Sequence, residues 1–328
     1  MPKVYFWNGV QVDTLTLNAL SSGAAFDMRV FTRMRYCRIS NGRFLLVAGR
    51  QHVKRVLHGV RLFAGPDILQ LEDTVVEWLT QAIRCADFDT DGYIHLEVGL
   101  AGDNPMAEDA RGGVYVAIAI DQKPAMYAGQ VHLSTQVRFP RPDGPGVGVK
   151  HHGNYPDLMR ARLGAIKVLG DRQPETPRGS REGLLLAREE FRRGILPGQY
   201  ELATGADPLV AEAAFSNLGH FDRHGNVRIP DPLKVPYFTG LTVQIVHRIV
   251  EGHLKKRFRR VPLRRSELLR DGFTTGTAGY VTPIISIDGQ PVEHSGSVSK
   301  LAELYQQFCR GELDNPRIME EFAFLIDP

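Results

Sequence analysis

A chain of 328 residues with 43% hydrophobic content is long enough for two domains that each bury a core, and it needs no covalent staples. Three widely spaced cysteines, Cys37, Cys85 and Cys309, fit neither a disulfide framework nor a zinc site, so a reducing cytosol is the expected setting. A net charge of +3 is too small to require nucleic acid; the first twenty residues do not read as a secretory leader, and no apolar run approaches the ~20 residues that span a bilayer, so a soluble, unexported protein is expected.

The chain opens on two short strands around Asn8-Gly9, a dipeptide that favours a tight hairpin turn. Residues 43–48 read as a strand. Residues 51–63 carry Val53, Val56, Leu57 and Val60 at helical spacing, and 68–85 place Leu71, Val75, Trp78 and Leu79 on one helix face. Residues 93–99 and 114–120 are β-rich and should pair, which makes the first half a mixed sheet with helices. The stretch 123–149 is dense in proline and glycine, with one strand candidate at 131–139, and suits a connection between domains. Beyond it the sequence predicts a helix over 154–169, a polar stretch over 172–183 and a helix over 184–193 closed by Gly194. Strands follow at 198–204, 209–211, 220–222, 227–229 and 283–287, with helices over 242–251 and 299–310. The resulting division is a small domain at 1–125, a connection at 126–149 and a larger domain at 150–328.

Several motifs resemble chemistry that they do not complete. Asp87, Asp89, Asp91 and Gly92 begin like a calcium loop, but its twelfth position is Val98, and Glu97 falls one residue short. Gly144, Gly146 and Gly148 lack the spacing of a phosphate loop, and His151 stands where Ser or Thr should follow Lys150. His151 and His152 point to opposite sides of an extended chain, with no second ligand cluster nearby, so no metal is expected. The basic run from Lys255 to Arg265 holds only Phe258 as an aromatic, which suits a solvated face or edge strand better than a nucleic-acid footprint.

Two other segments carry chemistry. Lys150 precedes Gly153-Asn154-Tyr155, and Glu212 precedes Asn217-Leu218. A lysine and an acid in this company are the two parts needed to hold a pyridoxal phosphate ring. The lysine forms the imine, and the acid keeps the pyridine nitrogen protonated so that the ring accepts the electron pair left when a substrate loses its α-proton. Lys150 must be neutral to attack an aldehyde, and burial beside a cationic ring lowers its pKa toward that state.

Together with Gln51-His52-Val53-Lys54-Arg55, Thr239-Gly240-Leu241-Thr242 and the run Phe273-Thr274-Thr275-Gly276-Thr277-Ala278-Gly279-Tyr280-Val281-Thr282-Pro283, these segments resemble the branched-chain aminotransferase branch of the class IV pyridoxal phosphate enzymes, in family order over nearly the whole chain. The resemblance implies fold type IV: a mixed α/β chain with a smaller N-terminal α/β domain and a larger C-terminal mixed sheet or barrel domain. It implies Lys150 as the Schiff-base lysine, Tyr155 as the phenol at the ring oxygen, and Glu212, with Asn217 in the same segment, at the ring nitrogen. Arg55, Leu241, Thr242, Thr275, Gly276 and Thr277 would hold the phosphate, which backbone N–H groups and a helix N-terminus also favour. It further implies a homodimer acting on small amino acids and keto acids, without nucleic acid or membrane partners.

The chain departs from that family on the substrate side. Arg35 matches the family arginine, but the Tyr, Gly and Glu around it are replaced, and the family's Tyr-Ile-Arg becomes Tyr93-Ile94-His95. Arg29, Arg33 and Arg35 share one strand face and favour a non-standard, polar or anionic side chain if that face lines the pocket. His95 and Ala278 complete the substrate-side candidates. Residues 170–199 read as an insertion relative to the family pattern, and a connection that long is often functional. The expected activity is amino transfer between an α-amino acid and an α-keto acid in the cytoplasm. Alternatives on the same residues are a lyase similar to aminodeoxychorismate lyase, or a D-amino acid aminotransferase.

Overall fold

The computed structural model describes residues 3–15, 29–40, 42–86, 90–100, 114–122, 130–135, 159, 162–163, 165–167, 180–186, 191–193, 200–202 and 207–327. They form two compact units: described residues up to 122 together with 309–327, and described residues from 130 to 308. No helix among them is long and apolar enough to cross a membrane.

The first unit begins with β1 (Lys3–Trp7) and β2 (Val10–Val12). Between them Asn8 and Gly9 both take positive φ, 47° and 83°, the turn whose twist matches that of the strands it joins. β3 (Arg29–Arg38), β4 (Phe44–Val47), β5 (Gly92–Leu100) and β6 (Val114–Gln122) extend this hairpin into one antiparallel sheet. α1 (Gly49–Ala64) and α2 (Glu72–Ala86) cover one face. Val53, Val56, Leu57 and Val60 of α1 and Val75, Leu79 and Ile83 of α2 are buried with Val30, Met34 and Tyr36 of β3. Each such side chain stabilises the fold by roughly 1.5–3 kcal/mol when fully buried. With Val30, Met34 and Tyr36 turned to the helices, strand alternation turns Arg29, Phe31, Arg33 and Arg35 to the other face.

The single helix expected over 68–85 is two elements, a 3-10 helix Pro66–Leu71 followed by α2. Gly65, with φ 85°, ends α1, and Pro66 starts the next turn because its fixed φ suits a first helical position. The sequence reading assigns residues 309–327 to the second domain. They lie instead with the first unit, because strand Ala323–Ile326 pairs antiparallel with β4. Asn315 caps the helix Pro316–Phe322 that leads there, accepting from the Ile318 amide at 3.3 Å.

The second unit is built on a mixed sheet of β7 (Val131–Ser134), β8 (Ser180–Leu186), β11 (Val210–Ala213), β12 (Asn217–Phe221), β13 (Val227–Pro230), β14 (Phe258–Val261), β15 (Gly272–Gly276) and β16 (Tyr280–Ile287). Their order is β11-β8-β7-β16-β15-β12-β13-β14. β7 runs parallel to both β8 and β16, and β14 runs parallel to β13. Although β11 and β12 stand far apart in this order, the Ala213 amide donates to the Ser216 carbonyl at 2.9 Å. That turn curls the sheet back on itself into a half-barrel around Val131, Leu133, Leu184, Leu186, Leu218, Ile284 and Ile287. The basic run contributes β14, the edge strand, with Arg259 and Arg260 exposed.

The helix expected over 184–193 does not form. Leu184, Leu185 and Leu186 are buried in β8, between β7 and β11, and β9 (Phe191–Arg193) pairs with β10 (Tyr200–Leu202) as a separate hairpin. Three adjacent leucines suit a strand buried on both faces, which a short apolar run does not distinguish from a helix. Residues 180–186 are therefore an interior strand of the sheet. The strand candidate at 131–139 is β7, with 136–139 outside the described residues; residues 159, 162–163 and 165–167 are helical within the expected helix at 154–169. α3 (Leu241–Gly252) packs against β15, and the helix expected over 299–310 spans Ser297–Cys309.

Candidate active site

Glu212 lies on β11 and is 5% exposed. Its Oε2 accepts from the Phe238 amide at 3.3 Å and from Asn217 Nδ2 at 3.4 Å. Asn217, which opens β12, also donates through Nδ2 to the Phe238 carbonyl at 2.5 Å and accepts at Oδ1 from the Gly240 amide at 3.1 Å. A closed set of hydrogen bonds thus ties β11, β12 and the segment entering α3. A Cβ at position 240 would sit 2.4 Å from Asn217 Oδ1, so any other residue there would have to displace that oxygen. The Phe238 backbone and Gly240 carry this set, and the sequence offered only the Gly240 signal, through its position before a helix.

Gly240 is extended, φ −68° and ψ 153°, and no side chain among the described residues caps α3. Leu241 and Thr242, both buried, stand in its first turn, whose amides have no intrahelical acceptor and form the positive end of the helix dipole. Across β12, Asn217 pairs with Thr275 of β15. Thr275 is 2% exposed, and its hydroxyl has no hydrogen-bond partner among the described residues. A buried hydroxyl in that state needs an explanation, and an anionic group bound before α3 would give one. Among the described residues, a Cβ on Gly276 would make ordinary van der Waals contacts, the nearest with the Phe215 carbonyl oxygen at 3.6 Å. Thr277 and Ala278 follow, half-buried, in the turn between β15 and β16.

Tyr237 precedes Phe238 and is buried. Burial pushes its phenol well above the ordinary range, and the negative charge of Glu212 adds to the effect while Arg260 opposes it. The second unit therefore brings together Glu212, Asn217, Leu241, Thr242, Thr275 and Gly276. Lys150 and Tyr155 lie outside the described residues.

In the first unit Arg55 projects from α1 onto β3, donating to Thr32 Oγ1 at 2.5 Å and to His52 Nδ1 at 3.2 Å. Thr32 Oγ1 is also 2.6 Å from His52 Nδ1. The guanidinium can only donate, so Thr32 accepts from it, while the direction of the Thr32–His52 bond follows the imidazole tautomer. The other sheet face gathers Arg29, Arg33, Arg35 and His95. Arg35 is 2% exposed and lies over the Tyr93 ring, so this face is not a run of solvated charges. Arg33 lies over Phe31, and Phe31 stacks on His95. The buried Glu97 carboxylate accepts from Tyr115 at 2.6 Å and lies 3.9 Å from Arg29 and 3.5 Å from His95. Glu97 entered the sequence reading only beside the incomplete calcium loop, and Tyr115 carried no motif; their strand register brings them to this face.

The fold defined by these two units is that of the class IV pyridoxal phosphate aminotransferases. The branched-chain aminotransferase of Thermoproteus uzoniensis with norvaline is similar at a TM-score of 0.78 and 21% identity, covering 99% of each chain. The branched-chain amino acid aminotransferase of Escherichia coli is similar at 0.75 and 19%, covering 95% of this chain and 96% of its own. That of Thermobaculum terrenum, as a mutant form, is similar at 0.74 and 18%, covering 99% of this chain and 98% of its own. No protein-family model matches the sequence, and no curated protein matches it.

Proposed function

We propose that this chain is a pyridoxal phosphate-dependent aminotransferase that moves an amino group between an α-amino acid and an α-keto acid. The observation that carries the reading is the bonded set Glu212–Asn217–Phe238–Gly240, lying beside the first turn of α3 and the Thr275 hydroxyl, which has no partner among the described residues. An acid at one end and an anion-binding helix start at the other are the two ends that the cofactor presents.

When bound, the cofactor supplies an aldehyde that takes the amino group and a ring that accepts electrons from the substrate α-carbon. Glu212 holds a proton at the ring nitrogen, and Asn217 with the Phe238 amide fixes the carboxylate for that purpose. The Leu241 and Thr242 amides and the Thr275 hydroxyl bind the phosphate, with Thr277 and Arg55 adding donors. Tyr155 bonds the ring oxygen. Lys150 supplies the amine that carries a proton to and from the substrate α-carbon.

On the substrate side, Arg29, Arg33, Arg35 and His95 with Ala278 select an amino acid whose side chain is non-standard, polar or anionic. The reading includes a homodimer in the cytosol, which light scattering on the purified chain tests. The activity is tested by titrating the protein, reconstituted with pyridoxal phosphate, with a panel of amino donors. Conversion to the pyridoxamine form, reversed by keto acids, is expected. Return of the aldehyde form with elimination would instead identify a lyase, and turnover of D-amino acids alone a D-amino acid aminotransferase.

A further inference from the structure

We propose that Glu182 is a positioning residue that sets the Glu212–Asn217 pair by holding the turn between them; this rests on the cofactor reading above. Glu182 lies on β8, next to β11, and has no exposed surface. Its Oε2 accepts from the Phe215 amide at 3.2 Å and its Oε1 from Ser216 Oγ at 3.1 Å. The carbonyl of Gly183, the next residue, accepts from the Ala214 amide at 2.9 Å. Every residue of the link Ala214–Phe215–Ser216 is therefore fastened to two adjacent positions of β8. Glu212 and Asn217 stand on either side of that link.

A buried carboxylate is unfavourable unless its oxygens are paired, and here the turn supplies both partners. An apolar residue at 182 would leave the Phe215 amide and the Ser216 hydroxyl as buried donors without acceptors. The turn would then relax, and with it the angle at which Glu212 meets the Phe238 amide and Asn217 meets Gly240. Glu182 acts through the turn, since both of its oxygens are engaged there. Glutamine has the same shape, and can accept from Phe215 with its oxygen while donating to the Ser216 oxygen with its nitrogen, so it should preserve the geometry.

The test compares Glu182→Leu, Glu182→Gln and Ser216→Ala with the wild-type full chain. In the cofactor-free protein, the Phe238 and Gly240 amides should exchange hydrogen faster in Glu182→Leu and Ser216→Ala, and at the wild-type rate in Glu182→Gln. With pyridoxal phosphate added, the dissociation constant should rise about tenfold in Glu182→Leu and about threefold in Ser216→Ala. The pH at which the visible band of the bound cofactor changes should move with it, and Glu182→Gln should restore both. Unchanged exchange at Phe238 and Gly240 overturns the inference whatever the cofactor does, as does a Glu182→Gln protein as impaired as Glu182→Leu. Should Glu182→Leu not fold, Ser216→Ala decides, because it removes a single oxygen. A wild-type chain that does not take up pyridoxal phosphate refutes the proposed function instead, and the exchange measurement still judges the turn.

Discussion

Asn217 Oδ1 accepts from the Gly240 amide at 3.1 Å, so a residue on β12 fixes the point where α3 begins. The contact leaves no space for a methyl group: a Cβ at 240 would lie 2.4 Å from that oxygen. Gly240→Ala should therefore break the bond or displace Asn217 and, through it, Glu212. We expect a loss of about 1–3 kcal/mol in stability, typical of overpacking, with weaker pyridoxal phosphate binding. Urea unfolding and cofactor titration check this, and a variant with wild-type values in both would show that the helix start adapts freely.

Glu212→Gln addresses the chemistry more directly. The amide keeps the volume of the carboxylate and can still accept from the Phe238 amide or from Asn217, so the fold and cofactor binding should survive. A neutral group cannot hold the ring nitrogen protonated, and turnover should fall roughly a hundredfold or more. Single-turnover conversion to the pyridoxamine form measures that step apart from binding. A Gln variant as fast as wild type would remove Glu212 from the mechanism.

The parts of this fold that local pattern determines were readable from sequence, and the parts that distant neighbours determine were not. Val53, Val56, Leu57 and Val60 repeat at helical spacing and all lie in the core, because an amphipathic helix carries its own signal. Asn8-Gly9 likewise specifies its turn by the φ values that it tolerates. Leu184–Leu185–Leu186 contains no such information: what makes it a strand is β7 on one side and β11 on the other, both remote in sequence. Glu182, between Arg181 and Gly183, looks like a solvated charge until its strand is placed. Of the candidate site, the motifs named Glu212, Asn217 and Thr275. The Phe238 backbone was not, because a main-chain amide has no identity in a sequence. Strand Gly272–Gly276 went unread for a related reason, its glycines weakening the β pattern that its threonines support.

Thr32→Val tests the support of Arg55. Thr32 is fully buried, accepts from Arg55 at 2.5 Å and lies 2.6 Å from His52 Nδ1. Valine fills the same space without a hydroxyl, so both contacts go and their buried partners are left short of one, and stability should fall by about 1–3 kcal/mol, or several degrees in Tm. If Arg55 binds the cofactor phosphate, the dissociation constant of pyridoxal phosphate should rise several-fold while pyridoxal, which lacks the phosphate, is unaffected. Equal losses for both ligands would place Arg55 outside the phosphate site.

The stability of the second unit should depend on pH through His220. This residue of β12 is 5% exposed, neither ring nitrogen has a hydrogen-bond partner among the described residues, and Glu267 lies 4.0 Å from Nε2. Glu267 is itself engaged by the Arg228 guanidinium. Burial lowers the imidazole pKa below its ordinary value; the Glu267 charge opposes this and the Arg228 charge reinforces it. A histidine whose folded pKa is depressed resists protonation that the unfolded chain accepts, so below about pH 6.5 the unfolded state binds more protons and stability falls with pH. Above that value the group is neutral in both states and contributes no slope. Urea midpoints measured at about pH 7.5 and about pH 5.5 should therefore differ more for the wild type than for His220→Leu, which cannot titrate. Identical differences in the two proteins would mean that His220 is charged as readily in the folded chain as in water, and that its burial costs the ion nothing.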